Sequence, residues 1–235
     1  MSEEFYESEF DQYVEEYDNM HKFSTRHSGF DTSYFDLYKV NILQQEFKTR
    51  INEPLKILNF GCGIGKSESI MIQKFPHCHI HSIDVSKKSV EYGLEKNKDL
   101  LKQITYIHFD GIHLPFTEKF DIIFIANVFH HIEFQYHKEI LINLKNALAP
   151  DGYLYMFEHN PANPLTMKAV KDCCFDGNAR LLSTNYTRSL YKEAGFSFIE
   201  INYTLFFPAF LQSLSFLERF MTFIPIGAQY YCKAR

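Results

Sequence analysis

At 235 residues with a net charge of −5, and with 46% hydrophobic and 23% charged residues, the chain has the composition of a globular protein with one substantial core. No lysine or arginine stripe stands out against that acidic balance, so duplex nucleic acid is not an expected partner. Five cysteines, at 62, 78, 173, 174 and 232, form an odd set without framework spacing, which points to reduced thiols and a cytoplasmic setting.

The opening residues Met1-Ser2-Glu3-Glu4-Phe5 lack the basic and apolar regions of a signal peptide. The richest apolar stretch, Leu205 to Leu217, is interrupted by Pro208, Gln212 and serines and falls short of the roughly 20 apolar residues of a spanning helix. A soluble protein without an integral membrane segment is expected.

Phe10, Val14, Tyr17 and His21 lie at helical spacing among acidic residues and predict an amphipathic helix over 3–21. A polar link follows around 24–31, and a second helix is expected from about Ser33 to Phe47. Residues 1–50 thus read as a helical cap, a flap over a ligand site in the domain formed by 51–235.

That domain opens on Leu55-Lys56-Ile57-Leu58-Asn59-Phe60-Gly61-Cys62-Gly63-Ile64-Gly65-Lys66-Ser67-Glu68. An apolar run breaks into a loop with glycine at every second position, and an amphipathic pattern begins at Ile64 and continues through Ile70, Met71, Ile72 and Phe75. This reads as strand, tight turn, helix. Glycines at 61, 63 and 65 remove the Cβ atoms that would hold a ligand away from the backbone. The dinucleotide fingerprint G-x-G-x-x-G wants its third glycine where this chain has Lys66.

His79-Ile80-His81-Ser82-Ile83-Asp84 reads as a second strand ending in an acid, with Val85 next. Asp84 is placed to accept both hydroxyls of a ribose, or to cap the helix that starts after it and runs from Lys87 to Leu101. The segment from Ile104 to Asp110-Gly111 reads as a third strand ending in another acid, a further ligand candidate that is also a turn-forming pair. The run from Phe120-Asp121 through Ala126 is near-continuously hydrophobic, as a strand buried on both faces should be, and is followed by Asn127-Val128-Phe129-His130-His131. A helix from Gln135 to Leu148 ends in the breaker Ala149-Pro150-Asp151-Gly152. The fifth strand is Tyr153 to His159.

Residues 160–184 read as an irregular insertion, with Cys173-Cys174 as buried thiols. A helix over 187–194, a sixth strand from Ser197 to Tyr203, an aromatic-rich amphipathic element from Leu205 to Phe223 and a last strand within Ile226 to Arg235 complete the chain. The aromatic content of 17% gathers in the N-terminal helices and in 203–231, which either wall an apolar acceptor pocket or cover the sheet.

The G-x-G-x-G loop, the segment from Phe120-Asp121 to His130-His131-Ile132 and the L-x-P-x-G-x-L pattern at Leu148 to Leu154 together resemble class I S-adenosylmethionine-dependent methyltransferases of the small-molecule type, firmly over about 50–158. The resemblance implies an α/β, Rossmann-like seven-stranded sheet, mostly parallel with the last strand antiparallel between the fifth and sixth, and helices on both faces. It implies S-adenosylmethionine as cofactor, with Asn59, Gly61, Cys62, Gly63 and Gly65 around the methionine end and Asp84 and Val85 at the ribose. Asp110 and Gly111 would lie at the adenine, and Asn127 and Val128 beside the sulfonium. Asn59 stands where the family usually carries an acid.

His130 or His131 is the expected base, with His159 in reserve. The Asn/Asp-Pro-Pro-Tyr segment of nucleic-acid base and glutamine methylases, the cysteine of pyrimidine C5 methylases and the carboxylate set of metal-dependent catechol enzymes are all missing from this position. No metal is expected. The implied reaction is methyl transfer to a small acceptor, lipophilic or a sugar, with oxygen favoured over carbon or nitrogen. A non-catalytic binding protein and an NAD(P)-dependent oxidoreductase are the alternatives.

Overall fold

In the computed structural model, residues 23, 25–173 and 179–235 are described. The helix predicted over 3–21 lies outside them, as does Cys174. The strands are β1 (Lys56–Phe60), β2 (His79–Asp84), β3 (Ile104–His108), β4 (Phe120–Ala126), β5 (Leu148–His159), β6 (Ile199–Thr204) and β7 (Gln229–Ala234). They form one sheet in the order β3-β2-β1-β4-β5-β7-β6. Pairing is parallel from β3 through β5, and β7 runs antiparallel to both β5 and β6. The predicted topology is therefore the observed one.

The helices are α1 (Thr32–Glu46), α2 (Glu68–Lys74), α3 (Lys87–Lys96), α4 (Phe134–Ala147), α5 (Pro164–Lys171) and α6 (Thr184–Glu193). Their starts follow local chemistry. Asp31 accepts the Ser33 N–H at 3.1 Å to begin α1, and Ser86 accepts the Ser89 N–H at 3.0 Å to begin α3. Strand β4 shows why its sequence is so apolar. Ile122 and Phe124 enter one core with Val40 and Leu43 of α1, Phe47 just after it and Met71 of α2, while Ile123 and Ile125 enter the other with Leu141 and Leu144 of α4 and Leu190 of α6.

Three expectations need correction. The helix after the glycine loop starts at Glu68, because positive φ at Gly63 and Gly65 delays helical backbone beyond Ile64. Residues 160–184 are not wholly irregular, since Asn163 accepts the Leu165 and Thr166 N–H groups and Pro164 occupies the first turn, which starts α5. The aromatic segment 203–231 lines no part of the ligand cavity. Its centre, Ala209–Phe220, is a 3-10 stretch kinked at Leu211, held by Glu218, which accepts the Phe206 N–H and the Tyr38 hydroxyl. Phe210 and Phe223 stand 83% and 77% exposed, so they do not cover the sheet either.

Candidate active site

β1 and β4 are neighbours whose connections leave toward opposite sides of the sheet, and a crevice opens beyond their carboxyl ends. A cavity of about 540 Å³ fills it. Asn59, Gly61, Cys62 and Gly63 from the loop after β1 line it, as do Asp84 and Val85 after β2 and Asp110 and Gly111 after β3. Asn127, Val128, His130 and His131 after β4 complete the wall with His159 at the end of β5. Gly65 is the exception. It sits behind the loop, where a Cβ would come within 2.5 Å of the Tyr106 hydroxyl and 2.8 Å of the Asn97 amide, so its glycine serves packing.

The loop is fixed from below. Gly61 and Cys62 both donate their N–H to the Ile83 carbonyl, at 2.9 and 3.0 Å, and Gly63 donates to Asp84 Oδ2 at 2.7 Å. Asp84 Oδ1 accepts the Ser86 N–H at 2.8 Å, and the helix cap itself is Ser86 rather than Asp84. Burial pushes the Asp84 carboxyl up, against the pull of those N–H groups. Burial, with Asp84 and Glu68 nearby, also raises the Cys62 thiol well above its ordinary value, so this cysteine stays protonated and is no nucleophile.

Asp110 is drawn into its own turn, accepting from the Ile112 and His113 N–H groups and from the His113 ring at 2.7 Å. Desolvation is the largest single influence and raises its pKa, but these bonds together outweigh it and hold the carboxyl below its ordinary value. His113 was not singled out in the sequence.

At the end of β4 the chain turns through Asn127, a non-glycine residue at φ 58°, a conformation asparagine tolerates better than most. The residue lines the cavity, and its buried Oδ1 has no hydrogen-bond partner among the described residues. Next along, the His130 ring meets Glu158 at 2.5 Å through Nδ1, both side chains being buried. Glu158 also accepts the Phe129 N–H at 2.9 Å. Burial pushes its carboxyl up, and His130, His159 and the Phe129 amide outweigh that to hold it below its ordinary value. The rings of His131 and His159 lie 4.1 and 5.2 Å from that of His130.

Glu158 was missed, although a carboxylate closing an apolar strand is itself a signal. Lys39 was missed too. It follows Phe35 and precedes Leu43 by four residues each, so it belongs to the inward side of α1.

A sequence model described as a methyltransferase domain matches residues 58–154. A malonyl-[acyl-carrier protein] O-methyltransferase of Halalkalibacterium halodurans is 27% identical over 126 residues, covering 52% of this chain and 45% of that protein. The mitochondrial ubiquinone biosynthesis O-methyltransferase of Candida albicans is 28% identical over 142 residues, covering 54% and 43%. The chain thus spans less than half the length of these two relatives. Among solved structures, a SAM-dependent methyltransferase from Aquifex aeolicus superposes with a TM-score of 0.62 at 17% identity, over 95% of this chain and 97% of that one. Residues 58–154 thus match a methyltransferase domain, and the chain is similar in sequence and fold to class I S-adenosylmethionine-dependent methyltransferases.

The residues present fit that family's cofactor, S-adenosylmethionine. A Cβ at Gly63 would meet no protein atom within 4 Å, so the loop leaves room against its backbone, and the orphan Asn127 Oδ1 offers an acceptor nearby. No helix among the described residues is long and apolar enough to cross a membrane.

Proposed function

We propose that the protein methylates a hydroxyl group on a small, largely apolar acceptor. The observation that carries this reading is His130, which lines the cavity and is held from behind by the buried Glu158 carboxylate. Bound S-adenosylmethionine supplies an electrophilic methyl group on a positively charged sulfur. The chain's own residues bind, align and deprotonate. Gly61 to Gly63 give a backbone floor, Asp84 and Val85 take the ribose, Asp110 and Gly111 face the adenine, and Asn127 and Val128 lie beside the reacting end.

Because Glu158 is held ionised, it accepts a hydrogen bond, and the hydrogen between the two groups belongs to His130 Nδ1. In neutral imidazole that leaves Nε2 as the basic nitrogen. When the acceptor hydroxyl loses its proton to Nε2, the imidazolium formed is matched by the Glu158 carboxylate, the same logic by which a carboxylate orients a histidine base elsewhere. Ile132, Ile140 and Val170 give that part of the wall an apolar lining, which favours a lipophilic acceptor over a sugar. Two relatives that carry O-methyltransferase names add support.

The test is a screen of hydroxylated quinols, phenols and sugars with methyl-labelled S-adenosylmethionine, identifying the methylated atom by mass spectrometry and NMR. An O-methyl product is expected, with kcat about 10²–10⁴-fold lower in His130→Ala. Methylation at nitrogen or carbon, or an undiminished rate in that variant, defeats the proposal.

A further inference from the structure

Helix α1 carries a lysine into the cavity wall. Lys39 is only 3% exposed and sits beside Asp36 and Lys66. Among the described residues none hydrogen-bonds its ammonium group. The charged groups that face it are Asp36 and Glu158, which favour its charge, and Lys66, which opposes it. Burial is the largest influence, and it lowers the pKa.

Asp36, three residues back on the same helix, favours the Lys39 charge electrostatically. Glu158 is committed to His130 and the Phe129 N–H, and Lys66 donates to the Thr32 hydroxyl at 3.1 Å. A lysine with no ligand to meet usually runs its stem along the surface and leaves its ammonium in water. An ammonium taken out of water without a hydrogen-bonded partner is unfavourable, and an apolar side chain of the same length would serve the fold better. Lys39 is instead part of the cavity lining, where a bound anion would meet it.

We propose that Lys39 is the binding post for a carboxylate carried by a small molecule in this cavity. The proposal rests on the methyltransferase reading of the site and extends it. S-adenosylmethionine carries one carboxylate, at its methionine end, and an acidic acceptor is the other source of such a group. Either one completes Lys39 with a charge-assisted hydrogen bond, the strong kind in a water-poor site.

The experiment is calorimetric titration of the native protein and Lys39→Met with S-adenosylhomocysteine and with 5′-methylthioadenosine, which keeps the nucleoside and the thioether but lacks the carboxylate. The S-adenosylhomocysteine complex of each protein is then titrated with malonate, using neutral malonamide as the control. Loss of at least about tenfold in S-adenosylhomocysteine affinity, with 5′-methylthioadenosine unchanged, supports the proposal and assigns the carboxylate to the cofactor. Unchanged S-adenosylhomocysteine affinity, with malonate binding lost in the variant, supports it and assigns the carboxylate to the acceptor.

Affinities that do not change for either anion overturn the proposal. So does an equal loss for both nucleosides, which marks Lys39 as a structural residue. A native protein that binds neither nucleoside defeats the methyltransferase reading of the cavity, and this proposal with it, before the variant is measured.

Discussion

Asn59 donates its side-chain amide to Oε1 of Glu68 at 2.9 Å, across the turn between β1 and α2, and Ser82 of β2 donates to the same oxygen at 2.7 Å. This arrangement explains the amide at a position where the family usually has an acid. A carboxylate at 59 would face a second, fully buried carboxyl. Two carboxyls in one dry site cannot both ionise freely, so one proton is retained between them. Asn59→Asp should therefore cost about 2 kcal/mol of unfolding free energy at pH 7.5 and less at pH 5. In a Glu68→Gln background the same substitution should cost little. Equal cost in both backgrounds, by denaturant unfolding, would show that the two positions do not interact.

Glu68 alone sets a pH dependence. Burial raises its carboxyl above the ordinary value of 4.5, only partly offset by the Ser82 and Asn59 bonds, and its Oε2 has no hydrogen-bond partner among the described residues. The folded state therefore keeps the proton after the unfolded chain has released it. Its stabilising effect is complete below about pH 4.5 and is lost as pH rises toward the folded-state value, at up to about 1.4 kcal/mol per pH unit. Glu68→Gln has no such proton to lose. Relative to the native protein it should gain stability as pH increases from 4.5 to 8, and a difference that stays flat across that range would show that Glu68 does not keep its proton on folding.

Two glycines of the loop separate ligand binding from folding. Both have positive φ, 51° at Gly63 and 68° at Gly65, so alanine at either strains the backbone by about 1 kcal/mol. Gly63→Ala adds a methyl group in open cavity space and should weaken S-adenosylhomocysteine binding with only that strain as the stability cost. Gly65→Ala drives a methyl into the Tyr106 hydroxyl and into Asn97, whose amide donates to the Gly65 carbonyl at 2.9 Å. It should lower the melting temperature by more. Comparable melting temperatures for the two variants would contradict the division.

Legibility of the site followed backbone chemistry. The glycine loop, the acids closing β2 and β3 and the two histidines after β4 are local patterns, and strand periodicity places them at one end of the sheet before any coordinates exist. What escaped depends on pairing between distant segments. Glu68 reaches Asn59 from nine residues away, Glu158 meets His130 from β5, and Lys39 enters from a helix whose place over the crevice no local pattern reveals. The exposed phenylalanines of 209–223 misled for a related reason. Hydrophobicity signals burial only where the fold supplies a partner surface, and this 3-10 segment is held mainly through the Glu218 carboxylate.

Glu158→Gln should separate orientation of the base from the fold. The amide keeps the shape of the carboxylate but not its charge, so the imidazolium formed after proton transfer has no buried counter-charge. A glutamine can also present its NH₂ group to His130 Nδ1, which moves the ring hydrogen to Nε2 and turns the basic nitrogen away from the acceptor. A fall in kcat of about 10²-fold or more is expected, with S-adenosylhomocysteine affinity within a few-fold of the native value. The pH–rate profile carries the sharper signature. With the carboxylate gone, the imidazolium loses its stabilising charge, so the acidic limb of kcat, read as the pKa of the base in the complex, should move to lower pH. An unchanged limb would mean that Glu158 holds β5 and the Phe129 turn in place without acting on the base.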